Sequence, residues 1–312
     1  MRARVVVGLL STSFAVCALA VAFSAASFTD STQNPQTLSA AADFLAPSAG
    51  ASAVAKAEGG AAGYVRAGGN YRVYANVSDS GNPASKTASV KANLSALTAG
   101  QTAVALSSGS YSVDGVSYNY RSAQLKVDGG AGAGTKSYAL TLLDGAGNSR
   151  VQSFTVTVDN GPFAASSFST ANASGNDSGE PEEDDTVAFT YSDAPEPASV
   201  KSSWDGEATS VKVSIADSSG NETLTVGNVD LGSVALKGDY VDSGKTVSFS
   251  GSSMTLSGNS VTILLGSPSS SSTLNDDDGN RAPVWSPSSS VYDLAGNTCS
   301  TAAVTGASTR QF

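Results

Sequence analysis

Residues 138–158 read YALTLLDGAGNSRVQSFTVTV. Tyr138, Leu140 and Leu142 alternate with Ala139 and Thr141, and Phe154, Val156 and Val158 alternate with Thr155 and Thr157. A side-chain period of two belongs to a strand with one face turned inward. Between the two runs lies Asp144-Gly145-Ala146-Gly147-Asn148, whose glycines are free to adopt positive φ. The stretch therefore reads as an antiparallel hairpin.

Working upstream, Tyr71, Val73, Ala75 and Val77 alternate with Arg72, Tyr74, Asn76 and Ser78, ahead of the breaker-rich turn Asp79-Ser80-Gly81-Asn82-Pro83. Strand-like runs follow at 88–94, 102–106, 115–121 and 122–127. Val158-Asp159-Asn160-Gly161-Pro162 is a strand end followed by a stop, and the domain boundary belongs there. Downstream, Val187, Phe189 and Tyr191 alternate again, then Val211/Val213/Ile215, Leu224/Val226, Val247/Phe249, Met254/Leu256 and Val261/Ile263/Leu265. A second Asp-x-Ala-Gly-Asn stands at 293–297, before a predicted last strand over 298–304. The shared ending makes a weak internal repeat and implies two units of one kind. Many short strands at this spacing indicate β-sandwiches. The expected fold is all-β: two tandem sandwiches over 47–160 and 161–307, with 308–312 as a tail.

The N-terminus differs in kind. Arg2 and Arg4 precede a stretch free of charge from Val5 to Thr29, with small residues at Ser24-Ala25-Ala26. That is the layout of a secretory signal helix over 1–26, cleaved after Ala26, followed by a polar leader over 27–46. The alternative is an uncleaved anchor, because the apolar run approaches spanning length; the small-residue boundary favours cleavage. The expected location is extracellular or at the cell surface, with no membrane span after cleavage.

Charge and composition narrow the function. The chain has 17 Lys+Arg against 27 Asp+Glu, a surface that repels nucleic acid and anionic lipid. There is no His, which excludes Ser-His-Asp triads and His-ligated metals. Cys17 leaves with the signal, so Cys299 is the one mature thiol and no internal disulfide forms. Ser243-Gly244-Lys245-Thr246 imitates the end of a P-loop but feeds a strand where a helix is needed. No enzyme is expected. Trp204 and Trp285 would favour a carbohydrate or cell-wall binding module if exposed, and burial of both would count against it.

The remaining chemistry is calcium, which takes carboxylate and carbonyl oxygens. Asp276, Asp277 and Asp278, with the inter-domain Asp159 and Asn160, are the candidate ligands. Asp, Asn and Gly are equally the ordinary residues of turns, and the run at 276–280 lacks the distal Glu of an EF-hand.

The runs YRVYANVSDSGNPASKTASVKANLS, YSVDGVSYNYRSAQL and YALTLLDGAGNSRVQSFTVTVDNGP resemble bacterial immunoglobulin-like repeats of exported proteins, notably actinobacterial ones. The second half, with TVAFTYSDAPEPASV, Trp204 and the DLAGN ending, resembles the immunoglobulin-like modules of surface-layer and adhesive proteins. Where those modules carry Phe-Ser-Glu-Pro, this chain has Tyr191-Ser192-Asp193-Ala194-Pro195. The leader is similar to signal peptides of biofilm-matrix fibre proteins. These resemblances imply immunoglobulin-like sandwiches serving as a structural or adhesive component, whose partner is a protein or a cell-wall polymer. A fibre-forming matrix subunit is the further alternative.

Overall fold

The computed structural model describes Asp43–Phe312 except for 82–84 and 219–220; the signal-helix reading and most of the leader lie outside the described residues. The chain is all-β, as the alternating pattern predicts. The first half contains β1 (Ser48–Lys56), β2 (Tyr64–Val65), β3 (Asn70–Ser78), β4 (Thr87–Asn93), β5 (Val104–Val113), β6 (Val116–Ser122), β7 (Leu125–Lys126), β8 (Gly134–Asp144) and β9 (Ser149–Val158).

These strands form one sheet in the order β1-β3-β6-β5-β4-β8-β9-β2, with β7 also on β3. The sheet curls over on itself: β2 runs parallel to β9, and a bridge from Ala55 to Ala62 ties the end of β1 to the chain entering β2. Its inward residues make one core. Tyr71, Val73, Ala75 and Val77 of β3 meet Leu140 and Leu142 of β8 and Val156 and Val158 of β9. The other face of β3 carries Tyr74, which packs on Tyr118 and Tyr111, and the Arg121 guanidinium lies 4.3 Å from the Tyr111 ring centre.

The predicted hairpin joins β8 to β9, with Leu142 opposite Arg150. Its two glycines serve different ends. Gly147 has φ +95°, where a side chain is strained. Gly145 has no positive φ, but a Cβ there would meet the Ser85 carbonyl oxygen at 2.7 Å.

The second half contains β10 (Ala165–Ala171), β11 (Thr186–Tyr191), a single helical turn α1 (Pro197–Val200), β12 (Thr209–Ser210), β13 (Lys212–Ala216), β14 (Thr223–Gly227) and β15 (Ser233–Ala235). It continues with β16 (Thr246–Ser250), β17 (Ser253–Ser257), β18 (Ser260–Leu264), β19 (Ser267–Pro268), β20 (Val284–Ser286) and β21 (Val304–Thr305). Two sheets face each other, β10-β11-β18-β17-β12 and β19-β16-β13-β14-β15-β20-β21. Phe189 and Tyr191 of the first meet Trp285 of the second edge-on, with ring centres 5.2 and 5.1 Å apart. Such pairs contribute about 0.5–1.5 kcal/mol beyond the area they bury. The Trp285 indole N–H donates to the Leu231 carbonyl at 2.7 Å, which makes its burial affordable for a polar ring.

Three expectations change. The closing strand over 298–304 shrinks to β21, because Cys299 N donates to Val291 and Ser300 N to Phe163, two different partners that cannot form one ladder. The tail 308–312 is part of the second sandwich: Thr309 pairs with Arg281, and Phe312 is buried against Tyr240 with ring centres 5.5 Å apart. The leader's last residues also belong to the fold, since Asp43 is buried on the first sandwich.

Candidate functional site

The repeated Asp-x-Ala-Gly-Asn turns have the same internal geometry. Asp144 Oδ1 accepts from the amides of Ala146 (2.9 Å) and Asn148 (2.7 Å), and Asn148 Nδ2 donates to Asp144 Oδ2 at 2.8 Å. In the second sandwich Asp293 Oδ1 accepts from Ala295 (2.9 Å) and Asn297 (2.8 Å), and Asn297 Nδ2 donates to Asp293 Oδ2 at 2.8 Å. The second amide hydrogen of each Asn reaches the chain entering its sandwich. Asn148 donates to the Asp43 carbonyl at 2.7 Å and Asn297 to the Asp159 carbonyl at 3.0 Å. Each turn thus fastens the segment that leads into its own domain.

At the first of these turns three carboxylates converge. One oxygen from each of Asp43, Asp79 and Asp144 lies within 4.8 Å of the others. The Ser85 hydroxyl lies between Asp43 Oδ2 (2.9 Å) and Asp79 Oδ2 (3.2 Å). Gly81 leaves room for the Asp43 carboxylate, because a Cβ at 81 would overlap it. The Leu45 amide, outweighing burial, holds Asp43 below the usual carboxylate range, with help from Ser85. For Asp144 burial opposes ionisation, but the Asn148 side chain and amide and the Ala146 amide prevail and its pKa is lowered. Asp43 and Asp144 are therefore anionic at neutral pH, and with Asp79 beside them the set offers hard oxygens of the type that bind calcium.

The matching place in the second sandwich holds a cation from the first. Ser78-Asp79-Ser80-Gly81-Asn82-Pro83-Ala84-Ser85 repeats as Ser192-Asp193-Ala194-Pro195-Glu196-Pro197-Ala198-Ser199, with Ser, Asp, Pro, Ala and Ser shared. Lys56 Nζ, from the end of β1, reaches Glu196 Oε2 at 2.6 Å and the Leu294 carbonyl at 2.8 Å. Glu196 Oε2 also accepts from the Ala61 amide at 2.8 Å. Here Asp293 behaves differently from Asp144: burial raises its pKa, the Asn297 hydrogen bonds do not offset that, and the negative Asp159 adds to it.

The calcium candidates read from sequence are dispersed. Asp277 is held by both arms of Arg281, at 2.8 Å each, and by the amides of Asp239 and Gly279. Asp276 and Asp278 both pair with Arg310 at 2.6 Å. Two arginines thus already offset two of the three charges of the aspartate run. Asp159 Oδ1 accepts from the Gly161 amide, and Asn160 bonds Ala67 and Ala131 of the first sandwich, so this pair ties the linker down. Trp204 and Trp285 are both buried, which removes the exposed rings that carbohydrate stacking required of them. Cys299 is buried and its thiol pKa is raised by burial. The repeat of Ser78–Ser85 was the unread signal for Asp79; Asp43 gave none, because its partner lies about a hundred residues away at the other end of the domain.

No protein-family model matches this chain, and no curated protein aligns with it significantly.

Proposed function

We propose that the chain is a non-catalytic structural or adhesive component of the cell surface or its surroundings, exported by its N-terminal segment. The observation that carries this reading is the junction between the sandwiches. Lys56–Glu196 and Asn297 on Asp159 fix one half against the other, and Asn160 on Ala67 and Ala131 holds the linker to the first. A bearing element benefits from such fastening, whereas a catalyst built at a domain junction commonly keeps it mobile. Two acidic, tightly packed sandwiches without histidine suit a spacer or adhesin. Fractionation of the producing cells with mass spectrometry of the protein's N-terminus tests the proposal. Recovery at the surface or in the medium, beginning at Ser27, is expected. Recovery in the cytoplasm with Met1 intact, or turnover of sugar polymers or peptides by the purified protein, overturns it.

A second element of the proposal is calcium at Asp43, Asp79 and Asp144. It is favoured by two of the three carboxylates being buried yet ionised, and by the lysine ammonium at the corresponding loops of the second sandwich. Bound there, the ion would tie the leader to the first sandwich as Lys56 ties the first sandwich to the second.

A further inference from the structure

Beside the buried Lys56–Glu196 pair the junction opens into a cleft of about 270 Å³. Drug-sized sites run from roughly 300 Å³ upward, so this one suits a single ring. Tyr292 lines one wall, with Lys56 Nζ 5.9 Å from its ring centre, and Gly68 and Gly296 leave backbone instead of side chains along the lining. Its polar side chains are Arg66, Asn70, Glu58 and Lys56, the last already paired with Glu196. Arg66 makes no ion pair with an acid among the described residues.

Guanidinium, amide and carboxylate are planar, and each offers paired donors or acceptors. That spacing bridges neighbouring hydroxyls on a ring, while an aromatic wall accepts the ring's C–H face. Arg66 and Glu58 carry opposite charges and Lys56 is met by Glu196, so the lining is balanced, and the net charge of −10 on the whole chain disfavours an anionic ligand. We propose that this cleft binds one uncharged pyranose unit of a saccharide, with Tyr292 against the sugar face and Arg66, Asn70 and Glu58 on its hydroxyls. Arg66 also lines a second, more open cleft that continues past Pro162 and Phe163, which gives a longer saccharide a path beyond the first ring. The site goes beyond the structural role and does not use either tryptophan.

Ligand-observed NMR on the full chain tests it, with glucose, galactose and N-acetylglucosamine as uncharged probes and glucuronate as the charged one, each at millimolar concentration. At least one uncharged sugar is expected to bind. Arg66→Ala, at an exposed position, is expected to weaken it roughly tenfold, the effect of losing one good contact, with the melting temperature unchanged. Tyr292→Ser is expected to abolish binding, and Tyr292→Phe to retain it. Silence from all three uncharged sugars overturns the proposal. So does binding that survives Arg66→Ala and Tyr292→Ser undiminished, or glucuronate binding as tightly as the best uncharged sugar.

Discussion

Lys56 on the first sandwich and Glu196 on the second form an ion pair, Nζ to Oε2 2.6 Å, with 5% of each side chain exposed. Gly60 makes this approach feasible, because a Cβ there would overlap the Glu196 carboxylate. The pair is satisfied on both sides, by the Leu294 carbonyl and the Ala61 amide. Removing one partner leaves the other charge buried alone, which costs about 3–5 kcal/mol. Glu196→Ala and Lys56→Ala are each expected to lower the melting temperature, and Lys56→Met with Glu196→Leu to recover part of the loss. Calorimetry of the three variants checks this; single variants that melt with the parent would show that the pair does not hold the junction.

The two Asp-x-Ala-Gly-Asn turns make a matched pair of predictions. Asn297→Ala removes the donor to both Asp293 and the Asp159 carbonyl, and Asn148→Ala removes the donor to both Asp144 and the Asp43 carbonyl. Unsatisfied groups at such positions cost about 1–3 kcal/mol each. Hydrogen exchange locates the effect: Asn297→Ala is expected to speed exchange around 159–161 and leave 43–45 alone, and Asn148→Ala the reverse. Equal effects at both ends would mean that the turns do not fasten their own linkers.

What the sequence could reveal follows from how local each feature is. The hairpin at 144–148 was legible because alternation and turn residues lie within one short stretch. The inward face of β3 was legible for the same reason. The curling of the first sheet was not, since it depends on β2 pairing parallel to β9, a strand of two residues with no pattern of its own. At 276–278 the sequence shows three aspartates but not the arginines at 281 and 310 that fold onto them, because those pairings form only in the folded chain. Asp43, Asp79 and Asp144 stand far apart in the chain and meet only once β1, β3 and β8 are in place.

Calcium is expected to raise the melting temperature, and a chelator to return it to the starting value. A cation that binds the folded form alone stabilises by mass action, so the rise grows with concentration. Asp79→Asn is the informative variant: Asp79 is the least buried of the three and its loss disturbs the fold least. The variant is expected to keep its metal-free melting point and lose most of the calcium response. A parent protein whose melting does not move with calcium would end the reading, and a response unchanged by Asp79→Asn would place the ion elsewhere.

Glu222, next to β14, is fully buried, and neither carboxylate oxygen has a hydrogen-bond partner among the described residues. Burial raises its pKa, and the negative charges of Asp239, Asp217 and Asp277 raise it further, against its own backbone amide. Tyr240, whose hydroxyl is also buried without a partner, and the Asp277–Arg281 pair face the same region. A raised folded-state pKa means the native protein holds this proton more tightly than the unfolded chain does. Its contribution is complete below the unfolded glutamate range, then falls as pH rises toward the folded value, and is lost above it. Glu222→Gln keeps the shape and removes the titration. The variant is therefore expected to melt above the parent at neutral pH and to converge with it, or fall below it, in acid below the glutamate range. Melting curves of both proteins across that range decide the matter: parallel profiles at every pH would mean that Glu222 is ionised at no extra cost and has a partner in solution.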